Sequence, residues 1–209
     1  MPQHTLTLIR HGHYQSPEDD PPLSDLGRQQ AAATGAYLQS QPIDAVHFST
    51  MRRAAETAQI IAQVFPEVPL IGHDALWEGI PTIPPAHQAW FDAQADPDFR
   101  PARVAAVQTN LDAVYAEIFQ PASDGDVHTL VVCHGNVLRY LICRALNIDV
   151  HAWVNLHPVY HCGLTQIVIA PNLIKEALDA GIILTTLLNY NDVQHLQHVR
   201  VIPSKSDTQ

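Results

Sequence analysis

Leu8-Ile9-Arg10-His11-Gly12 and Val131-Val132-Cys133-His134-Gly135 follow one pattern, an apolar run that halts in His-Gly. The stretches leading into them, Thr5 to Ile9 and Thr129 to Cys133, are apolar and β-branched, and each halt in glycine reads as a buried strand closing in a tight turn. Working outward from the first, Thr5 to Ile9 forms the strand and Ser24 offers an N-cap hydroxyl to a helix reaching about Leu38, with Leu26, Ala33 and Tyr37 at helical spacing. A strand near Ala45 to Phe48 leads to a helix with Met51, Ala54, Ala55, Ala58, Ile61, Ala62 and Phe65 on one face, stopped by Pro66. A short strand at Val68 to Ile71 opens a proline-rich, loop-like stretch from His73 to Arg100. Pro101 then starts a helix stepping through Val104, Val107, Leu111, Val114 and Ile118. Around the second run, Thr129 to Cys133 is the strand, and Val137, Leu138, Leu141, Ile142 and Leu146 face inward from the helix after it. Leu164 to Ala170 and Ile182 to Leu188 read as two more strands, and residues 204–209 as a frayed tail. Strands alternating with amphipathic helices predict an α/β sandwich.

The bulk properties bound the function. With 209 residues the chain suits one core, which grows to roughly 250 residues before chains split. One domain over residues 1–203 is expected, with 73–128 a loop-rich helical excursion. Eleven Lys and Arg against 21 Asp and Glu leave a net charge of −10, which argues against a nucleic-acid partner. No apolar run nears the roughly 20 residues that cross a bilayer, so no membrane partner and no leader are expected. Cys133, Cys143 and Cys162 form neither a disulfide framework nor a thiolate metal site, and the cytoplasm is the expected compartment. Histidine is the unusual count, at 13.

Chemistry concentrates at the His-Gly pair. Both strand ends belong to the carboxyl edge of the sheet, where open α/β sheets hold ligands. A neutral imidazole is a good nucleophile toward phosphorus, and a second can donate hydrogen bonds to the equatorial oxygens. A phosphate dianion in an acidic protein also needs guanidinium forks, which Arg10 and Arg53 supply, the latter in the first turn of its helix where backbone N–H groups favour an anion. Arg52 reads as a solvated neighbour.

Taken together the motifs resemble the histidine phosphatase superfamily. Arg10-His11-Gly12 looks like its nucleophile motif, and Ser49 to Ala58 is similar to its S-x-x-x-R-A-x-x-T-A element, which puts Arg53 at the phosphate. Leu23 to Ala31 resembles its L-S-x-x-G-x-x-Q-A helix start. Leu76-Trp77-Glu78 falls where the family carries its general acid, Cys133-His134-Gly135-Asn136 where it carries the second histidine, and Asn191-Asp192 to His195-Leu196 at its final motif. The resemblance implies a phosphoglycerate-mutase-like fold, a three-layer α/β/α sandwich around a mostly parallel mixed sheet. It also implies a phosphohistidine on His11, with Glu78 as acid and then base, and Arg10, Arg53, His134 and Gly135 holding the phosphate. No metal and no cofactor are implied, the partner is a phosphorylated substrate, and a homodimer is compatible with it. Arg10 and Arg53 are expected to lower the pKa of His11; Trp77, Ile80 and nearby prolines are expected to desolvate Glu78 and raise its own.

Glu78 is followed by Gly79-Ile80-Pro81-Thr82-Ile83-Pro84-Pro85 rather than by the basic, aromatic segment of the mutases. This segment and His134 to Leu146 resemble the mitochondrial serine/threonine protein phosphatase branch, with that branch's anchoring N-terminus not expected here. His13-Tyr14 replaces the usual hydroxyl position after R-H-G, with His13 or a backbone group as a substitute. Glu18, Asp19 and Asp20 form an acidic loop expected to disfavour acidic ligands if it borders the site. Alternatives are a sugar or metabolite phosphatase or a mutase of the same fold, a catalytically silent phosphoprotein-binding module, and a cysteine phosphatase built on the C-x5-R spacing of Cys133 and Arg139. A metal-dependent hydrolase lacks a compact ligand set, because Pro158 interrupts the spacing of His157 and His161.

Overall fold

Parallel pairing of two non-adjacent strands joins the His-Gly ends. In the computed structural model, which describes residues 2–15, 19–171 and 183–199, β1 (His4–Arg10) lies beside β4 (Val127–Cys133) with Arg10 opposite Cys133. His11 N–H donates to the Cys133 carbonyl at 2.9 Å, so the two turns leave the sheet at the same edge.

The six-stranded sheet runs β3-β2-β4-β1-β5-β6, with β2 at Ala45–Ser49, β3 at Leu70–His73, β5 at Leu164–Pro171 and β6 at Ile183–Asp192. β3, β2, β4 and β1 pair in parallel, while β5 and β6 run antiparallel. Side-chain alternation on the central strands divides the core between the two faces. Leu6, Leu8, Val131 and Cys133 pack with α4 (Pro101–Ile118) and α5 (Gly135–Ala145). Ile9, Leu130, Val132 and Val46 pack with Leu38 of α1 (Asp25–Leu38) and with Ala54, Ala58 and Ile61 of α2 (Arg52–Ala62). The expected three-layer sandwich is therefore the observed one.

Local signals place most ends. Ser24 Oγ accepts from Gly27 N–H at the start of α1, and Pro101 occupies the first turn of α4. The short third strand runs Leu70–His73 instead of Val68 to Ile71, because Val68 N–H is engaged in a turn to the Phe65 carbonyl. The stretch read as loop between His73 and Arg100 contains helical turns at Asp74–Leu76, Pro85–His87 and Pro97–Phe99 and a five-residue helix, α3 (Gln88–Asp92). Proline opens two of these turns, acting as a first-turn residue instead of a breaker. The last strand extends to Asp192; Ile182, Glu18 and residues 204–209 lie outside the described residues.

Gly12 serves close approach of backbones, not the reversed backbone expected of a tight turn. Neither Gly12 nor Gly27 is left-handed, whereas a Cβ on Gly12 would meet the Gly27 carbonyl oxygen at 2.6 Å and one on Gly27 the His13 carbonyl oxygen at 2.0 Å. The turn at His11-Gly12 thus rests directly on the start of α1. Gly27→Ala should destabilise the protein by about 2 kcal/mol, the ordinary cost of overpacking, as urea unfolding measures.

Candidate active site

His11 projects from the end of β1 and is 1% exposed. Its ring Nδ1 lies 2.8 Å from the Gly12 carbonyl, an acceptor only, so Nδ1 carries the proton. Arg53 Nε donates to His11 Nε2 at 3.2 Å, which requires a lone pair there. The two contacts select one tautomer, with an unprotonated Nε2 facing the pocket. His161 Nδ1 sits 3.0 Å from the His11 carbonyl and adds a third anchor. Burial, first, and then the nearby His134 and His161 hold the His11 pKa well below 6.5; Arg10 and Arg53 act in the same direction as lesser causes. The sequence reading rested on the arginines alone, because burial and the convergence of imidazoles exist only in the folded chain.

Arg10, also buried, donates to the Val159 carbonyl, and its guanidinium lies against Gly135, where a Cβ would stand 3.5 Å from Cζ. Arg53 is 6% exposed, with Tyr14 beneath its guanidinium at 5.2 Å from the ring centroid. Arg52 is separate from this group and pairs with Glu56 at 3.2 Å. The N-terminus of α2, expected to receive a ligand anion, holds one of the chain's own carboxylates: Asp20 accepts from Arg52 N–H at 2.9 and 3.0 Å and lies 3.6 Å from Arg53. No side-chain cap comes from Met51 at that helix end, so Asp20 supplies it from the acidic loop.

His134, the residue before α5, is fully buried. Its Nε2 is 2.8 Å from Ser49 Oγ, and Ser49 Oγ lies 3.4 Å from Met51 N–H, leaving the hydroxyl hydrogen for His134. That arrangement puts the imidazole proton on Nδ1, which is 3.9 Å from Glu78 Oε2 and has no hydrogen-bond partner. Glu78 Oε1 is likewise buried and unpartnered, although the side chain as a whole is 28% exposed. Burial raises the Glu78 pKa above 4.5 against the opposing pull of Arg10, Arg53 and Arg139. Trp77 is not its shield, being 46% exposed with its indole N–H on Thr50 Oγ1 at 2.6 Å.

Arg10, His11, Arg53, Glu78 and Gly135 line one pocket of about 210 Å³, with His134 at its base through ring contact with His11 at 5.1 Å between centroids. Tyr14, Asn136 and Arg139 also line it and were missed in the sequence. Arg139, second member of the C-x5-R spacing, lies on α5, and the i, i+4 relation to Gly135 that gives its Nε a 3.1 Å bond to the Gly135 carbonyl also turns it to the pocket. Tyr14, not His13, takes the position after the nucleophile motif, since His13 Nδ1 is engaged with Ser24 Oγ at 2.8 Å. Cys133 is buried, and burial, with the Glu78 charge behind it, pushes its thiol pKa far up, which is unfit for a thiolate nucleophile.

Comparison with known proteins agrees with this geometry. Residues 6–176 match the model of the histidine phosphatase superfamily (branch 1). The chain belongs to this superfamily. Among curated relatives it is 36% identical over 173 residues to the mitochondrial serine/threonine-protein phosphatase Pgam5 of Caenorhabditis briggsae, covering 79% of this chain and 58% of that one. The human counterpart is 34% identical over 173 residues, with 80% and 58% covered. The chain thus spans somewhat over half the length of these relatives. A solved phosphoglycerate mutase from Plasmodium falciparum superposes with a TM-score of 0.59 at 26% identity, covering 96% of each chain. The alpha-ribazole phosphatase of Shigella flexneri shares the fold, with a TM-score of 0.64 at 20% identity and 90% and 96% covered. Family and fold are as expected from the motifs. The cytoplasmic expectation is corrected, because the curated relatives are named as mitochondrial proteins.

In this member of the superfamily the final motif acts as scaffolding. Asn191, at a left-handed φ of 54°, accepts from Tyr160 N–H at 2.8 Å and donates to the Pro158 carbonyl at 2.9 Å. It thereby fixes the loop whose Val159 carbonyl holds Arg10 and whose His161 holds the His11 backbone. His195 Nε2, farther on, is 3.0 Å from Thr34 Oγ1 of α1 and does not enter the pocket lining. Asn191→Ala should lower kcat/KM about tenfold, a loss of roughly 1.4 kcal/mol in transition-state stabilisation, through misplacement of Arg10; steady-state kinetics on an aryl phosphate read it.

Proposed function

We propose that the chain is a phosphomonoesterase that works through a phosphohistidine on His11. The observation that carries this reading is the selected tautomer, in which Nδ1–H is tied to the Gly12 carbonyl and Nε2 is unprotonated beside Arg53. Nε2 attacks phosphorus, and the bond to the leaving oxygen breaks as Glu78 delivers its proton to that oxygen. Water then attacks the phosphohistidine, Glu78 takes the water proton, and phosphate departs with His11 restored. Arg10, Arg53, the Nδ1–H of His134 and the first-turn N–H groups of α5 at Gly135 would hold the three equatorial oxygens as charge redistributes. The guanidinium groups supply the positive charge and neutral His134 an N–H donor, so the steps require no metal.

A pocket of about 210 Å³ is smaller than the roughly 300–1,000 Å³ that engulf a whole drug-sized ligand. It suits a phosphoryl group and the first atoms of its carrier, with the remainder outside. That size, together with relatives named as serine/threonine-protein phosphatases, favours phosphoserine or phosphothreonine in a protein as substrate. We assign residues 1–203 to one catalytic domain on the same reading.

Phosphate release from an aryl phosphate and from phosphopeptides, in chelator, tests the mechanism. His11→Ala should abolish release, with radiolabelled phosphate no longer retained on the denatured protein, whereas Cys133→Ser should retain activity. Loss in Cys133→Ser alone would overturn the assignment. Glu78→Gln should cost about 100-fold or more on phosphopeptides and much less on the aryl phosphate, whose leaving group needs no proton.

The pH dependence follows from the two shifted groups. Because the His11 pKa lies below 6.5, the nucleophile stays unprotonated down to more acidic solution, and the acid limb of kcat/KM should lie below pH 6.5. Because the Glu78 pKa is raised above 4.5, the alkaline limb on phosphopeptides should lie above pH 4.5 and disappear in Glu78→Gln. Profiles of kcat/KM against pH for the two enzymes check both limbs.

Asp20 gives the acidic loop a defined part. Its carboxylate beside Arg53 competes with an incoming dianion, while its bonds to Arg52 N–H cap α2. Asp20→Asn keeps an acceptor for the cap and removes the charge. KM for phosphopeptides should fall about 2- to 5-fold at low salt and less at high salt, the scale of a partly exposed ion pair. An unchanged KM at every ionic strength would remove this part.

A further inference from the structure

We propose that His47, His73 and Glu117 form a binding site for a divalent transition-metal ion of the zinc type, apart from the catalytic pocket. The inference stands on side-chain placement alone and is independent of the reaction assigned above.

Neighbouring parallel strands create the pair. β2 and β3 align His47 with Ile71 and Ser49 with His73, so the two histidines are diagonal neighbours on one face of the sheet edge. Their rings are near parallel at 19°, with centroids 5.1 Å apart and His47 Nδ1 2.8 Å from His73 Nε2. Glu117, from the last turn of α4, brings Oε1 to 4.0 Å from His73 Nε2. One donor atom from each of the three residues lies within 4.8 Å of the other two.

Two imidazoles and a carboxylate are a usual set for zinc, at about 2.0–2.2 Å per bond. Tetrahedral angles at those lengths separate ligand atoms by roughly 3.3–3.5 Å. The histidine pair must therefore open by a few tenths of an ångström and Glu117 close by a similar amount. Glu117 is 58% exposed and free to swing, whereas the His73 side chain is 11% exposed and held by its strand. For both facing nitrogens to coordinate, the ring that carries the shared proton passes it to its other nitrogen. His4, nearby, is not a ligand, since its two ring nitrogens already meet the Gln120 carbonyl at 2.6 Å and Thr129 Oγ1 at 2.8 Å. A water would complete the fourth position on the exposed side.

The site joins elements that the catalytic pocket depends on. His73 immediately precedes the turn Asp74–Leu76 that leads to Glu78, and His47 is two residues before Ser49, the partner of His134. An ion there would fasten the sheet edge to α4.

Zinc titration of the metal-stripped full chain against a chromophoric chelator is the test, with thermal melting as a second readout. Wild type should bind one equivalent and melt at higher temperature with zinc. Glu117→Gln and His73→Gln should each weaken binding about tenfold or more and shrink the thermal shift, while their circular dichroism without metal matches wild type. Glu117→Gln keeps the test valid should His73→Gln fold poorly, because Glu117 is a surface residue. Absence of binding by wild type, affinity unchanged in Glu117→Gln, or affinity lost in His11→Ala instead would each overturn the site.

Discussion

The parallel pairing of β1 with β4 is the constraint on which the rest of the molecule depends. Its register sets Arg10 opposite Cys133, so two His-Gly turns more than a hundred residues apart emerge side by side. From that edge the remaining parts fall within reach. α2 delivers Arg53 to His11 Nε2, and α5 begins against Arg10. A one-residue slip would send His11 and His134 to different depths and exchange the sheet faces of Leu8, Ile9, Val131 and Val132, which are all fully buried. The hydrophobic core and the candidate site are thus enforced by the same pairing.

The site gathers three guanidinium groups and two buried histidines in a protein whose net charge is −10. Burying so much positive potential is tolerable because each group has a fixed acceptor. Arg10 has the Val159 carbonyl, Arg139 the Gly135 carbonyl and Asn136 Oδ1, and Arg53 the His11 ring, with Asp20 nearby. The histidines remain neutral because burial penalises the ionised imidazole and the surrounding cations reinforce that penalty. Glu78 is pushed the opposite way by burial and is restrained by those cations. The result is a His11 imidazole without its second proton and a Glu78 carboxyl inclined to keep its own.

Much of this was legible in the residues. Buried strands show as continuous apolar runs, and helices as three-four spacing, because burial on two faces and on one stripe leaves distinct periods. The candidates Arg10, His11, Arg53, Glu78, His134 and Gly135 sit at the ends of such elements, where motif and geometry agree. Tyr14 was hidden because it lies in a segment without periodicity. Arg139 was hidden because a helix arginine reads as solvated until the helix is known to start at a pocket. The helical turns between His73 and Arg100 were read as loop, because proline both ends and begins helices and only its position in the turn distinguishes the two.

The sequence by itself determined the α/β class, the order of the strands and of the long helices, the family and the residues that converge, since each of these is written in local pattern and in short motifs. Only the tertiary structure decided which nitrogen of His11 is free, what holds Arg10, where Asp20 binds, and that His47, His73 and Glu117 meet. Those are matters of distance between segments separated by tens of residues or more. A pKa shift or a tautomer depends on neighbours and burial within a few ångströms, and no spacing along the chain encodes that proximity.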